Sequence, residues 1–84
     1  MIELYQAEGC PFCVKVRLAF EQMGIAYVSK SMPLRVPSRF REELLGLGGK
    51  SQVPFLNDPD KGIKMYESDD IIRYVKDNYA KEQV

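Results

Sequence analysis

Alternating and helical patterns of apolar residues divide the first part of this chain into a strand, a helix and a second strand. Ile2 to Gln6 alternates apolar and polar side chains, which predicts a short strand. Apolar residues then recur at helical spacing from Cys13 to Met23, which predicts a helix that begins at Pro11 and ends before Gly24. Ile25 to Lys30 predicts the next strand. This order over roughly thirty residues is typical of a parallel βαβ unit.

The second part of the chain predicts a helix, a hairpin and a final helix. Ser38 is expected to cap the first of these helices. Its apolar side consists of Phe40, Leu44, Leu45 and Leu47. Val53 to Leu56 and Ile63 to Tyr66 predict two strands, joined by turn residues from Asn57 to Gly62. Ser68 is expected to cap the last helix. The apolar side of that helix consists of Ile71, Ile72, Val75 and Tyr79.

The whole order, βαβ then α then ββα, predicts an α/β protein with a four-stranded mixed sheet and helices on its faces. A chain of 84 residues makes one small domain, so residues 1–84 are expected to form a single unit. The tail from Ala80 to Val84 is expected to fray.

Charge and composition exclude several classes of function. Twelve basic and twelve acidic residues cancel, which gives no electrostatic case for nucleic acid or an anionic membrane. No stretch is long and apolar enough to span a bilayer. Glu3 interrupts the first apolar run, so no signal peptide is expected. The expected setting is the cytoplasm, where paired cysteines are more often catalytic or metal-binding than structural.

The main candidate for chemistry is Cys10-Pro11-Phe12-Cys13, which contains both cysteines of the sequence at the start of the first predicted helix. At the N-cap, unpaired backbone N–H groups and the helix dipole favour a thiolate on Cys10. Cys13 begins the apolar side of the helix and is expected to be more buried and less ionised. This division suits thiol–disulfide exchange, in which Cys10 attacks and Cys13 resolves the mixed disulfide. Phe12 is expected to flank the thiols as exposed apolar surface.

The same cysteines have other interpretations. Zinc prefers four cysteine or histidine ligands, and the sequence has two cysteines and no histidine, so no metal is expected. The missing histidine also excludes cysteine–histidine catalysis. An iron–sulfur cluster bridged across two copies of the chain, and two inert thiols, both remain open.

Ser68 and Asp69 form a second candidate site. A helix N-terminus binds a carboxylate through its free N–H groups, and Asp69 could hold an ammonium group beside it. An ordinary helix cap with acidic residues in its first turn has the same pattern and is far commoner.

Three motifs together give the chain a family resemblance. Cys10-Pro11-Phe12-Cys13 follows the first strand, Val53-Pro54 precedes the third, and Glu67-Ser68-Asp69-Asp70 opens the last helix. In this order and spacing the chain resembles a glutaredoxin and, more broadly, the thioredoxin-fold superfamily. The resemblance implies a thioredoxin-like fold of order βαβαββα with four strands and three helices.

The resemblance also implies a glutathione site. Pro54 corresponds to a cis-proline beside the active site, and the backbone of Val53 to the segment that pairs with the cysteinyl part of glutathione. Lys50 stands where a basic residue could meet the glycyl carboxylate. A solvated surface charge is an equally good interpretation of Lys50.

The chain departs from the glutaredoxin pattern at three places. Ala7 replaces a frequent lysine, Gln52 replaces the threonine of Thr-Val-Pro, and Glu67-Ser68 replaces a glycine-cysteine pair. Gln52-Val53-Pro54 and Glu67-Ser68 look more like the glutathione-binding domain of glutathione transferases, in which the Glu-Ser pair holds the γ-glutamyl group. These departures are compatible with glutathione binding, but they make a reductase harder to distinguish from a transferase.

Several functions follow as hypotheses. The first is an enzyme, a monomeric glutathione-dependent thiol–disulfide oxidoreductase that acts on protein disulfides and glutathionylated proteins. The second is a transferase-type glutathione-binding domain. The third is a carrier of an iron–sulfur cluster held by Cys10 and glutathione. A redoxin that is reduced by a flavoenzyme is a fourth, and the candidate γ-glutamyl site disfavours it.

Overall fold

A computed structural model describes residues 1–80, and residues 81–84, which make up most of the tail expected to fray, lie outside the described part. The elements are β1 (Glu3–Gln6), α1 (Pro11–Met23), β2 (Val28–Ser31), α2 (Arg39–Gly48), β3 (Phe55–Asp58), β4 (Ile63–Tyr66) and α3 (Ser68–Asn78). The four strands form one sheet in the order β2-β1-β3-β4. β1 is parallel to β2 and antiparallel to β3, and β3 is antiparallel to β4. The mixed sheet and thioredoxin-like fold are therefore confirmed.

The helix α1 has the predicted bounds, because both of its ends are specified locally. Pro11 lies in the first turn, where backbone N–H groups have no acceptor within the helix, so proline costs no hydrogen bond there. Gly24 ends the helix with φ 68°, a left-handed conformation that glycine adopts without steric cost. The N–H of Ile25 then bonds to the carbonyl of Phe20 at 2.9 Å. Ile25 therefore belongs to the helix closure, and the prediction that β2 begins there was wrong, since β2 begins at Val28.

The first strand of the hairpin lies two residues later than predicted, whereas the second has the predicted bounds, Ile63 to Tyr66. β3 is Phe55–Asp58, so the prediction of a strand from Val53 and of a turn that includes Asp58 was wrong. Pairing with neighbouring strands sets these bounds: Phe55 lies opposite Tyr5 of β1, and Asp58 lies opposite Ile63 of β4.

Two apolar clusters lie on opposite faces of the sheet. Because successive strand residues point to opposite faces, Leu4 belongs to one cluster and Tyr5 to the other. The first, under α1 and α3, consists of Ile2, Leu4, Val16, Phe20, Ile25, Leu56, Ile71 and Val75. The second, under α2, consists of Tyr5, Met32, Leu44 and Phe55. On α2 only Leu44 is fully buried, and Leu45 is 44% exposed, so the predicted apolar side of this helix was too wide.

Asp58 joins the sheet to the end of α3. Its side chain is fully buried, and its Oδ2 accepts hydrogen bonds from the hydroxyls of Tyr74 (2.6 Å) and Tyr79. Burial alone would raise the pKa of Asp58, but the hydrogen bonds from the tyrosines outweigh it and lower the pKa. The carboxylate thus stays ionised at neutral pH and holds the C-terminal half of α3 on the sheet.

The predicted cap of α2 is confirmed and gives a stability test. Ser38 Oγ accepts a hydrogen bond from the N–H of Arg41 at 3.2 Å. We expect Ser38→Ala to lower the free energy of unfolding by about 1 kcal/mol, because that donor loses its partner. Ser38→Gly is the control, with an expected loss of only a few tenths of a kcal/mol. Urea denaturation measures both, and equal losses would contradict a capping role.

Among residues 1–80, none of the helices combines the length and apolar character that crossing a membrane requires.

Candidate active site

The two cysteines lie at the start of α1 and differ in exposure, as predicted. Cys10 is the N-cap residue, with extended backbone, and its side chain makes no capping hydrogen bond. Its thiol is partly exposed, whereas Cys13, one helical turn later, is fully buried. Both are free thiols. Cys10 is therefore the sulfur that a substrate could reach.

The environment of Cys13 keeps it protonated. Burial raises the pKa of the Cys13 thiol to about 12, although its Sγ accepts a hydrogen bond from the N–H of Ala7 at 3.5 Å. At neutral pH Cys13 is a thiol, which fits a resolving role better than the role of the attacking nucleophile.

A polar network that the sequence analysis missed supports the loop before Cys10. Gln6 is fully buried, and its Nε2 donates to Glu8 Oε2 (2.7 Å) and Ser29 Oγ (2.9 Å). Arg17 donates to Gln6 Oε1 and, at 3.5 Å, to the carbonyl of Ala7. Strand alternation places Gln6 on the same face of the sheet as buried Leu4, and a buried amide needs hydrogen-bond partners. The sequence pattern could therefore have predicted a polar network around Gln6.

A cleft of about 580 Å³ lies beside the first turns of α1 and α3. Its lining residues are Phe12, Lys15, Gln52, Val53, Pro54, Glu67, Ser68, Asp69 and Asp70. The fold thus brings together three segments that are distant in sequence: α1, the loop before β3, and the start of α3. Except for Lys50, every residue predicted to bind glutathione lines this cleft.

Other predicted residues lie beside the cleft rather than on its wall. Cys10, Pro11 and Cys13 are not among its lining residues. Of the Cys10–Cys13 motif only Phe12, which is 63% exposed, lines the cleft. Lys50 also lies outside the lining, with its Nζ 4.5 Å from the centre of the Tyr66 ring.

The start of α3 differs from the prediction by one residue. The N-cap is Glu67, and Ser68 is the first helical residue, so the prediction that Ser68 caps the helix was wrong. Glu67 has φ 73°, which places its peptide outside the helix while its carbonyl accepts from the N–H of Ile71 at 3.0 Å. A residue other than glycine rarely adopts this conformation, and such residues cluster at binding sites. No side chain caps the first turn of α3, and Ser68 and Asp69, its first two residues, line the cleft.

Side-chain contacts cross the cleft at two points. Gln52 Nε2 donates to Glu67 Oε2 at 2.9 Å, which joins the loop before β3 to α3. Lys15 of α1 forms an ion pair with Asp69. The Val53–Pro54 peptide bond is cis, as the resemblance implied. The sequence analysis missed Lys15, although it lies three residues after Phe12 and so on the same side of α1.

Cleft and fold together define a domain of the thioredoxin-like class with a cysteine at the start of its first helix. Residues 4–83 match the family model described as "Glutathione S-transferase, N-terminal domain". The chain therefore belongs to the family of glutathione S-transferase N-terminal domains. The transferase part of the sequence resemblance is confirmed, whereas the glutaredoxin identity finds no support in these comparisons.

Individual relatives give the same result. The glutathione S-transferase-like protein OpS6 of Beauveria bassiana is 31% identical over 81 residues, which are 96% of this chain and 36% of that protein. A glutathione S-transferase from the Antarctic clam Laternula elliptica superposes with a TM-score of 0.81 at 31% identity, over 95% of this chain and 36% of that one. The transferase URE2P6 of Phanerochaete chrysosporium, solved with oxidized glutathione, gives 0.79 at 28% identity, over 98% of this chain and 38% of that one. The chain thus spans little more than a third of the length of these relatives.

Proposed function

We propose that this domain binds glutathione in the cleft and that Cys10 carries out glutathione-dependent thiol–disulfide exchange. The observation that supports this most directly is the convergence of Val53-Pro54 and Glu67-Ser68-Asp69 on one cleft beside the helix turn that bears a partly exposed cysteine.

The cleft suits the groups of glutathione in order. The γ-glutamyl carboxylate would accept hydrogen bonds from the first-turn N–H groups of α3, where the helix dipole favours an anion. The γ-glutamyl ammonium would pair with the carboxylates of Glu67 and Asp69. The backbone of Val53 would pair with the cysteinyl unit in antiparallel fashion, which directs the ligand sulfur towards the start of α1.

The reaction needs no group beyond the two cysteines and glutathione. The Cys10 thiolate attacks the glutathionyl sulfur of a mixed disulfide, the old S–S bond breaks, and the substrate leaves as a thiolate that takes a proton. A second glutathione thiolate then attacks the sulfur bound to Cys10, which releases oxidised glutathione and restores the Cys10 thiolate. For a protein disulfide, Cys13 displaces the substrate instead and forms a Cys10–Cys13 disulfide, which two glutathione molecules reduce.

Conjugation of glutathione to an electrophile is the second candidate, and the family match favours it. In that reaction the glutathione thiolate attacks an electrophilic carbon and displaces its leaving group, with Cys10 near the sulfur but not bonded to it. A cluster carrier is a third candidate. Among residues 1–80 no group of three or more cysteine, aspartate or glutamate side chains could hold a metal, so such a cluster would depend on glutathione and a second copy.

Two parallel assays distinguish these functions. One follows NADPH loss while glutathione and glutathione reductase recycle the enzyme on a small glutathione mixed disulfide. The other follows conjugation of glutathione to an aryl halide by absorbance. We expect turnover in the first assay that exceeds the uncatalysed rate and depends on Cys10. Turnover in the second assay alone would replace exchange with conjugation, and visible absorbance after anaerobic purification would support the cluster.

The γ-glutamyl site gives a separate prediction. We expect Glu67→Gln to raise the KM for glutathione about tenfold with kcat nearly unchanged, because a hydrogen bond to a charged group is lost in ground state and transition state alike. Glu42→Gln, an acidic residue of α2 outside the cleft, is the matched control. Initial rates over a range of glutathione concentrations measure both. A KM equal to that of the control would place the γ-glutamyl group elsewhere.

A further inference from the structure

One tyrosine connects the two sides of the cleft. Tyr66 is the last residue of β4 and directly precedes Glu67. Its hydroxyl donates to the carbonyl of Lys50 at 2.8 Å and accepts from the N–H of the same residue at 3.1 Å. A single side chain therefore satisfies both backbone groups of a residue that lies at the start of the loop carrying Gln52 and Val53.

Close packing fixes the ring of Tyr66. Its centre lies 4.7 Å from that of Phe55, and the Lys50 Nζ lies 4.5 Å from it on the loop side. Gly48, at the end of α2, leaves room for the ring because it has no side chain. A Cβ at this position would lie only 2.2 Å from the Tyr66 hydroxyl oxygen and 2.8 Å from Tyr66 Cζ. Gly48 has ordinary helical backbone, so this position needs glycine for room rather than for its conformational freedom.

We propose that Tyr66 is a positioning residue that sets the loop before β3 in register with the start of α3. This inference rests on the proposed glutathione site, because the loop supplies the backbone of Val53 and α3 supplies the γ-glutamyl site. Tyr66 is covalently next to the second and hydrogen-bonded to the first. Its hydroxyl orders the loop before the ligand arrives, and a ligand that meets an ordered loop loses less free energy on binding.

The effect is expected in binding rather than in chemistry. Cys10 lies at the start of α1 and does not line the cleft, and the loop before it is held by Gln6 and Arg17 rather than by Tyr66. Loss of the Tyr66 hydroxyl should thus weaken glutathione binding while the step at the Cys10 sulfur keeps its rate.

Tyr66→Phe tests this with two measurements on the whole chain. In the protein without ligand, amide hydrogen exchange at Lys50 should become about 3- to 10-fold faster, since its acceptor is gone. In the coupled assay, the KM for glutathione should rise about 3- to 10-fold with kcat unchanged. Tyr5→Phe is the matched control, because it also removes a tyrosine hydroxyl that donates a hydrogen bond, to Glu43 Oε1 at 2.9 Å, but Tyr5 does not line the cleft. It should leave both values unchanged.

Gly48→Ala provides a second variant that acts on the same contact from α2. Its new methyl group displaces the Tyr66 ring, so it should reproduce both effects, and its combination with Tyr66→Phe should be less than additive. A KM unchanged by Tyr66→Phe, or raised equally by Tyr5→Phe, would overturn the positioning role. If the wild type does not bind glutathione, the proposed function fails. If Tyr66→Phe leaves amide hydrogen exchange at Lys50 unchanged, the Tyr66 hydroxyl does not order this loop, whatever the ligand.

Discussion

Replacement of Cys10 by serine is expected to lower turnover on glutathione mixed disulfides by at least about a hundredfold. A serine hydroxyl remains protonated at neutral pH and cannot form the mixed disulfide, so the pathway loses its covalent intermediate. The side chain is partly exposed and caps nothing, so the fold should be unchanged. The NADPH-coupled assay measures the loss, and circular dichroism verifies the fold.

Cys13→Ser is the matched control for this experiment. Because Cys13 is buried and its pKa is raised to about 12 by that burial, it is not the attacking sulfur at neutral pH. We expect this variant to keep turnover on glutathione mixed disulfides and to lose only the reduction of protein disulfides through the Cys10–Cys13 disulfide. Full activity in Cys10→Ser together with an inactive Cys13→Ser would reverse the roles of the two cysteines.

Phe20→Ala is expected to lower the free energy of unfolding by about 3–5 kcal/mol. Phe20 is fully buried in the cluster beneath α1 and α3, and its ring packs edge-on against Tyr27 at 5.0 Å. Truncation removes this apolar contact and leaves a cavity that neighbouring strands cannot fill. A small domain has roughly 5–15 kcal/mol in total, so much of the protein should unfold at modest urea concentrations.

Phe12→Ala provides the comparison for Phe20, since it removes the same ring from the same helix. Phe12 is 63% exposed and lines the cleft, so its loss should change stability by no more than about 0.5 kcal/mol. Urea titrations followed by circular dichroism measure both variants. A larger loss for Phe12→Ala than for Phe20→Ala would contradict the placement of the core.

Elements with local end signals were predictable from the sequence. Pro11 and Gly24 bound α1 as expected, and Ser38 caps α2, because each signal acts within one helical turn. Strand bounds depend instead on partners far away in the chain. The pairing of Phe55 with Tyr5 decides where β3 begins, and no local pattern contains that information.

The candidate site was predictable as a set of motifs but not as a geometry. Gln52, Val53 and Glu67 came from a resemblance, and the fold brings them to one cleft. The ion pair of Lys15 with Asp69 and the contact of Tyr66 with Lys50 depend on how α1, β4 and the loops pack. The transferase assignment required comparison with relatives, since a cysteine pair at a helix start is compatible with several families.

The buried carboxylate at the far end of α3 has a consequence for selectivity among ligands. Asp58 and Tyr74 hold the helix roughly two turns from Ser68, which limits how far the N–H groups at its start can move to follow a ligand of different shape. A rigid receptor of this kind discriminates by geometry: a β-aspartyl analogue of glutathione, one methylene shorter, would have to stretch to reach both the helix start and the thiol. We therefore expect the proposed site to bind the β-aspartyl analogue more weakly than glutathione.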